Sequence, residues 1–490
     1  MIEALVIAAP VWTLLTAAAT WSSRTVREAD RFNNVGAMVT ALLTLVLAGI
    51  AIADSANPHQ ESWWILDSGS GVFLAVIAVT GLLSALVAPA QLASSGRGLV
   101  SAARGRAMYY AAYHVFWAAL ILVPLVNNLG IAWLLVEATT GASALLVAFS
   151  GSRGALEAGW KYLVLTTFGL AVALLGIIVL YVAVAPGEGA LSTLDWQSIA
   201  DAAPNLRDGP AVVAFVFIVA GLATKVGWAP VHNWLPDAHS EAPPPVSALL
   251  SAALLPTVAL VVWRVVIALG PALSPGTASA LVLSFGLVSL AVAVPFLWRS
   301  MAWKRLLAYS SLEHMGILAI GIGLATPLAT AGVVIHVAGH ALAKSLGFYA
   351  AGPLVKHVPR SREHAVKGLA FASPTTASAV GISLAALAAI PPSPLFVSKL
   401  LILLGGIAAG EIAVTIVAAA LLALGFLGLA LALVEAMVGE PRPKPWRSGR
   451  SGPRLRRLTA VCGGLLLALT VIAFVIPDSD VVDNLMAGVT

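Results

Sequence analysis

Apolar blocks of roughly twenty residues recur along the whole chain, the length a helix needs to cross ~30 Å of hydrocarbon at 1.5 Å per residue. About fourteen can be read, near residues 2–20, 35–54, 71–93, 107–127, 129–150, 161–185, 211–239, 244–268, 277–299, 303–325, 327–352, 374–408, 411–438 and 457–476. Two of them are interrupted. GPAVVAFVFIVAGLATKVGWAP carries Lys225 and breaks at Pro230 into VHNWLPDAHSEAPPP, which contains Pro236. AVGISLAALAAIPPSPLFVSKLLILLGGI breaks at Pro391, Pro392 and Pro394, and Lys399 follows. The pattern predicts an all-α polytopic membrane protein of about 14 transmembrane helices, with two inverted five-helix repeats. Spans four to eight and nine to thirteen are the repeats, and the broken helix is fourth in each. The first block is longer than a signal-peptide core and lacks a basic start, so it is expected to be retained.

Composition agrees: 60% of residues are hydrophobic and 10% charged, with a mean hydropathy of +0.95, too little polar surface for a soluble globule. The charges that exist sort by loop. Arg24, Arg27 and Arg31 follow the first span, Arg97, Arg104 and Arg106 the third, and Arg153 and Lys161 flank the loop after the fifth. Arg299, Lys304 and Arg305 follow the ninth, Lys356, Arg360, Arg362 and Lys367 the eleventh, and a dense run from Arg442 to Arg457 the thirteenth. Even loops are neutral or acidic, as with Glu188, Asp195, Asp201 and Asp208 against Arg207. The excess of Lys and Arg puts odd loops in the cytoplasm and both termini outside, and one missed helix would have inverted the alternation. The formal charge of +5 reflects topology, not a nucleic-acid partner.

The lone Cys462 excludes a disulfide, a CxxC zinc site and an iron–sulfur ligand set, so electrons that drive this protein travel in a partner. No GxGxxG or GxxxxGKS loop opens a helix, and no cofactor is expected.

Polar residues within spans are the candidate site. A charged side chain at bilayer depth is costly and by default functional. Glu137 sits near the centre of the fifth span, and Lys225 two helices on is the cation expected to pair with it. Glu313 and His314 are adjacent, so on a helix they point about 100° apart, toward separate contacts. His336, His340 and Lys344 fall at i, i+4 and i+8, one polar stripe on an apolar helix. A metal site lacks an acidic or cysteine ligand beside the two histidines, haem has no facing ligand pattern, and a structural hydrogen bond stays open for His336. A proton relay fits best, since histidine titrates near neutrality. Glu435 is expected at the interface, and Lys161 as an anchor. The prolines have a matching part. Pro230, Pro236 and the run Pro243 to Pro245 remove backbone donors, and such backbone is tolerated only where it is buried or lines a wet cavity. Moving a carboxylate relative to a buried lysine can switch its charge: one pKa unit is ~1.36 kcal/mol, and one charge crossing 100 mV involves ~2.3 kcal/mol.

WLLVEATTGASALL, LEAGWKYLVLTTFGL, ATKVGWAPVHNWLPDAHSEAPPPVSALLSAALL, KRLLAYSSLEHMGILAIG, HALAKSLGFYAAG and LAAIPPSPLFVSKLLI lie in this order within residues 70 to 440. They resemble the proton-translocating, antiporter-like subunits of respiratory complex I, and most nearly the component F subunits of hydrogenase-4-type complexes, for which SSLEHMG and DAHSEAP are suggestive. The resemblance implies a redox-driven proton pump module of fourteen helices. By motif, Glu137 matches the family's fifth-helix glutamate, Lys225 its seventh-helix lysine, Lys344 its eleventh-helix lysine and Lys399 its twelfth-helix charge. Protons would enter through the first half and leave near Lys399. His232, His314 and His340 join the expected transfer set, with Asp237, His239, Glu313 and His336 as accessories. The chain ends soon after span fourteen, so the long lateral helix of some relatives is not expected. One position departs from the pattern: SALLSAALLPTVALVVWR has Pro256 where relatives place a lysine or histidine, leaving water or a hydroxyl such as Thr257 to bridge, or a poor pump.

The expected division is an N-terminal three-helix segment (1–106), a first repeat (107–268), an inverted second repeat (277–438) and a basic loop with the final helix (439–490). Expected partners are other membrane subunits, a peripheral hydrogenase or dehydrogenase arm, the bilayer of the plasma membrane, and protons or Na+. The alternatives are a subunit of a multi-subunit cation/proton antiporter, a non-pumping scaffold for a redox arm, and a coupling subunit for inorganic-carbon uptake.

Overall fold

The computed structural model describes residues 2–55, 57–94, 103–184, 191–299, 301–357, 367–438 and 452–475. Arg97, Glu188, Arg360, Arg362, the basic run from Arg442 to Arg450 and the Lys356 side chain lie outside what it describes.

The helices are α1 (Ile2–Trp21), α2 (Val26–Ala53), α3 (Ser68–Ser94), α4 (Ala103–Leu125), α5 (Leu129–Val147), α6 (Arg153–Val184), the broken α7 with halves α7a (Asp208–Val226) and α7b (Leu235–Glu241), and α8 (Pro244–Ala272). The second half holds α9 (Thr277–Leu297), α10 (Trp303–Leu324), α11 (Pro327–His357), the broken α12 with halves α12a (Pro374–Leu387) and α12b (Pro394–Ala408), α13 (Ile412–Val438) and α14 (Gly452–Val475). Thirteen helices among the described residues are long and apolar enough to span a membrane, and the two short halves of α12 supply one more span. The protein is a multi-pass membrane protein, with about fourteen spans among the described residues when the two halves of α12 are taken together.

Hydropathy alone sets some helix starts too late. α2 begins at Val26 because Thr25 and Glu28 form a reciprocal cap, Glu28 N–H donating to Thr25 Oγ1 (3.2 Å) and Thr25 N–H to Glu28 Oε2 (3.1 Å). Its first turns are polar, yet Arg106 donates to both Asp30 oxygens (2.7 Å each) and Tyr110 to Asp30 Oδ1 (2.7 Å), which docks them on α4. Arg106, read as a loop charge, is 4% exposed.

The two repeats have the same neighbour order. α4 packs on α5, α5 on α6 and α6 on α7a, with α4 also meeting α8; α9 packs on α10, α10 on α11 and α11 on α12b, with α9 also meeting α13. Between them, α10 and α11 pack on α8, and α10 also meets α7b. α1 to α3 lie beside the first repeat, and α14 lies along α11 and both halves of α12. At one end, Arg264 of α8 donates to Asp67 (2.7 Å), Ser70 Oγ (2.8 Å) and the Pro124 carbonyl (3.0 Å), tying α3 to α4 and α8 of the first repeat.

The break in α7 is built by identifiable groups. Gly227 takes φ +81°, and its N–H and that of Trp228 both reach the Ala223 carbonyl (2.9 and 3.0 Å). A Cβ at Gly227 would stand 2.4 Å from Leu235 Cδ1, so glycine is required on two counts. The Trp234 indole donates to the Thr224 carbonyl (2.7 Å), a second orphan of the helix end. From the same break, the Trp228 indole donates to the Met315 carbonyl (2.7 Å) and Ala229 N–H to Ser289 Oγ (2.9 Å), both in the second repeat. Pro236 lies in the first turn of α7b, Pro394 in the first turn of α12b, and Pro391 and Pro392 in the interruption of α12.

A buried polar axis as the candidate functional site

In the first repeat the apolar pattern of α7a carries Lys225 into the protein interior in the helix's last turn, where a cation complements the helix end. Its side chain is fully enclosed, and Nζ donates to Thr140 Oγ1 of α5 (2.7 Å) and Tyr162 Oη of α6 (2.6 Å). The ammonium also lies 4.6 Å from the centre of the Tyr162 ring. Each hydroxyl that accepts from lysine must donate onward. Tyr162 Oη meets Ser143 Oγ at 2.7 Å, and Ser143 donates to the Thr139 carbonyl (2.5 Å), so this branch runs from Lys225 to a backbone oxygen. The other branch runs from Thr140 to Glu137 Oε2 at 3.4 Å.

Glu137 and Lys225 share no direct hydrogen bond or ion pair: Thr140, one turn along α5, stands between them, and the carboxylate acts on the ammonium across it. Nor is Glu137 enclosed. It is half-buried, and its other oxygen accepts from Thr167 (2.8 Å) on an outward-facing part of α6.

The second repeat holds a denser set. Lys399 of α12b donates to Glu313 Oε1 of α10 at 2.7 Å, with side chains 8% and 0% exposed. Glu313 Oε2 is buried with no hydrogen-bond partner in the protein. His314, next in sequence, points elsewhere, as the 100° helical step requires: its Nδ1 is 2.9 Å from His336 Nε2, and His336 Nδ1 is 2.9 Å from Ser398 Oγ. Ser398 donates to the Leu395 carbonyl (3.0 Å), which assigns the proton on Nδ1 of both histidines and gives a directed chain from His314 to His336 to Ser398. His340 lies 5.1 Å from His314 and 6.2 Å from His336 by ring centres, its two nitrogens and His314 Nε2 buried without protein partners. Lys344 donates to the Leu307 carbonyl (2.5 Å) and to Ser310 Oγ. His336, His340 and Lys344 are all fully enclosed. Among the described residues no group of three or more His, Cys, Asp or Glu is arranged to hold a metal ion.

α8 and α10 join the halves. Ser251 Oγ meets Ser311 Oγ at 2.8 Å, one residue from the Ser310 that receives Lys344. Ser251 belongs to a π-helical turn, Leu250–Leu254, just before Pro256; the wide turn accommodates a residue with no N–H to donate. Thr257 Oγ1 is buried without a partner. Lys304, read as a loop charge, is instead 7% exposed and donates to the Ser240 and Ala242 carbonyls (2.5 Å each), closing the end of α7b.

Of the remaining candidates, His239 borders the axis, within electrostatic reach of Lys344 and His340 and with Nε2 buried without a protein partner. His239 is buried in α7b with Nδ1 at the Leu235 carbonyl (2.9 Å), and His232 is half-buried in the break. Asp237 is a surface residue, 3.4 Å from Lys161 and 3.3 Å from Arg305. Lys161 is 45% exposed and also pairs with Glu157 (2.6 Å), as an anchor does. Glu435 is exposed near the end of α13. Tyr162, Thr140, Ser143, Ser310 and Ser398 were missed by reasoning from charge alone. The signal was present in TTGAS, which puts Thr140 one turn after Glu137 on its side of α5, and Ser143 one turn after Thr140.

A family model described as NADH:quinone oxidoreductase/Mrp antiporter, transmembrane, matches residues 126–425. The chain is 33% identical over 386 residues to a hydrogenase-4 component F homolog of Methylacidiphilum infernorum (isolate V4), covering 78% of this chain and 80% of the relative. It is 30% identical over 421 residues to NADH-quinone oxidoreductase subunit N of Desulforudis audaxviator (strain MP104C), covering 82% and 81%. A chain of the Mrp complex structure from Dietzia sp. DQ12-45-1b superposes with a TM-score of 0.83 at 21% identity, covering 99% of this chain and 97% of that one.

Proposed function

Because the chain belongs to the NADH:quinone oxidoreductase/Mrp antiporter family of transmembrane subunits, we propose that it is the proton-translocating membrane subunit of a hydrogenase-4-like or complex I-like redox complex. It contributes no redox centre; electron transfer occurs in partner subunits. The observation that carries this reading is the series of buried lysine, hydroxyl, imidazole and carboxylate clusters set on and between the two broken helices. Such groups are costly inside a membrane and are placed there to move charge.

In this reading Glu137, Thr140 and Lys225 form the first switch. Ser251, Ser311 and Ser310 pass the signal to Lys344 without an eighth-helix base. His340, His314 and His336 lead on to Lys399 and Glu313. The orphaned nitrogens of His314 and His340, with Thr257 Oγ1, are where water completes the series. The half-buried Glu137 also supports a membrane partner. It lies on a face with Leu134 (58% exposed), Trp160 (67%) and Phe168 (72%), and a neighbouring subunit seated there would keep the carboxylate out of lipid. A peripheral hydrogenase or dehydrogenase arm, cytoplasmic odd loops, external termini and the four-part division of the chain belong to the same proposal.

The test uses the native complex in inside-out membrane vesicles. Lys225→Ala or Glu137→Ala is expected to leave electron transfer measurable while abolishing the coupled pH gradient; undiminished proton uptake in either variant refutes the reading. A sodium-dependent exchange that persists without electron flow would instead establish the cation/proton antiporter, which the family's description equally embraces.

A further inference from the structure

At the membrane face marked by the Arg- and Lys-rich loops, the start of α14 meets the ends of α3 and α11 and an early turn of α2. They enclose a cavity of about 370 Å³, within the range of small-molecule pockets. Its wall has two chemistries. Leu86, Val87, Leu455 and Leu458 give an apolar side, whereas Arg454 and Arg457, one turn apart on α14, are exposed and face the same space. Asn34, Gln91 and Tyr349 also line it, and among the described residues no acidic one does. Neither arginine is ion-paired among the described residues.

We propose that this cavity binds the headgroup of an anionic phospholipid, with its phosphate held by Arg454 and Arg457 and its acyl chains lying along α3 and α14. Three observations support it. The cavity lies toward the ends of spanning helices, where α14 starts and α3 and α11 approach their last turns. Two guanidinium groups with no ion pair among the described residues line one cavity, a charge pattern that favours a phosphate and gains from an anionic leaflet. The apolar wall on one side of the basic pair suits a ligand with both a charged and a hydrocarbon part, which free phosphate lacks. The occupant would rest on α11 close to Tyr349, whose hydroxyl is 2.8 Å from Ser84 Oγ, and would brace α14 against the helix that carries Lys344. The proposal depends on the membrane-spanning fold and not on proton pumping.

The test is native mass spectrometry of the full-length protein released from nanodiscs of equimolar phosphatidylglycerol and phosphatidylcholine. The wild type is expected to retain phosphatidylglycerol in roughly tenfold or greater excess, and R454Q/R457Q to lose that excess. Ala90→Trp, which fills the cavity and keeps both arginines, is expected to lose it as well, so that a folding failure of the first variant does not decide the matter. Equal retention of the two lipids, or an excess unchanged in both variants, overturns the proposal. Inorganic phosphate that raises the unfolding temperature of the lipid-free protein as much as phosphatidylglycerol does assigns the cavity to a free anion and overturns it too. A lipid excess seen only after a co-purifying subunit has been stripped away assigns the cavity to that subunit, with the same effect.

Discussion

Removing one member of the Lys399–Glu313 pair should be far more damaging than removing both. At the 2.7 Å separation, two unit charges in an effective dielectric of ~20 attract by about 6 kcal/mol, and that attraction offsets the desolvation of both groups. Lys399→Met leaves Glu313 fully enclosed without its direct ion-pair partner, with only the more distant Lys344 acting on it; Glu313→Gln leaves Lys399 facing an amide. Each single change is expected to cost ~3–5 kcal/mol, whereas the double replacement, which buries no charge, should lie within ~1–2 kcal/mol of the parent. The coupling energy then exceeds ~3 kcal/mol. It is read from a double-mutant cycle on the unfolding midpoints of the full-length protein in nanodiscs. Additive single changes, with the double variant as unstable as their sum, would refute the claim that the pair is a mutually compensated buried unit. The same double variant should assemble into its complex and yet fail to pump. Normal pumping would separate the pair's structural role from any part in proton transfer.

Three further outcomes follow from the geometry. Thr140→Val removes the hydroxyl between Glu137 and Lys225 at small change in volume and should lower proton uptake by about tenfold or more, with Thr140→Ser restoring it; equal activity of the two variants would exclude a relay through this oxygen. Gly227→Ala must hold an L side chain at φ +81° against Leu235 and should destabilise by ~1–3 kcal/mol, measurable as a lower unfolding temperature. Asp237→Asn should leave proton uptake at the parent level, since Asp237 meets only the surface cations Lys161 and Arg305; a strong loss would place it on the path after all.

The membrane fold was legible because the bilayer constrains helix length and apolar content, and both interruptions could be placed from prolines in otherwise apolar runs. The separate directions of Glu313 and His314, about 100° apart, also followed from helix geometry alone. What sequence could not supply was the order of contacts. Lys225 was matched to Glu137 because both are charged and close in span order, yet distance in space is set by how α5, α6 and α7a pack, which places Thr140 and Tyr162 at the ammonium. Hydroxyls escaped notice because serine and threonine are common in membrane helices and carry no charge to mark them. Lys304 and Arg106 were read as loop residues for the opposite reason: a basic residue near a helix start satisfies the topological rule whether or not it turns inward.

Thr140 has one hydrogen to give. While Lys225 is an ammonium, it occupies a lone pair of Thr140 Oγ1 and leaves that hydrogen free to point toward Glu137 or toward the Val136 carbonyl, 3.5 Å away. Once Lys225 becomes an amine it presents a lone pair of its own, and the hydroxyl can rotate to donate to it, withdrawing from the carboxylate. These orientations make this side chain a rotor, set away from Lys225 while it is charged and toward it once it is neutral. Rotation about a single Cβ–Oγ bond reports the charge on one helix to the carboxylate on another, without displacement of either backbone.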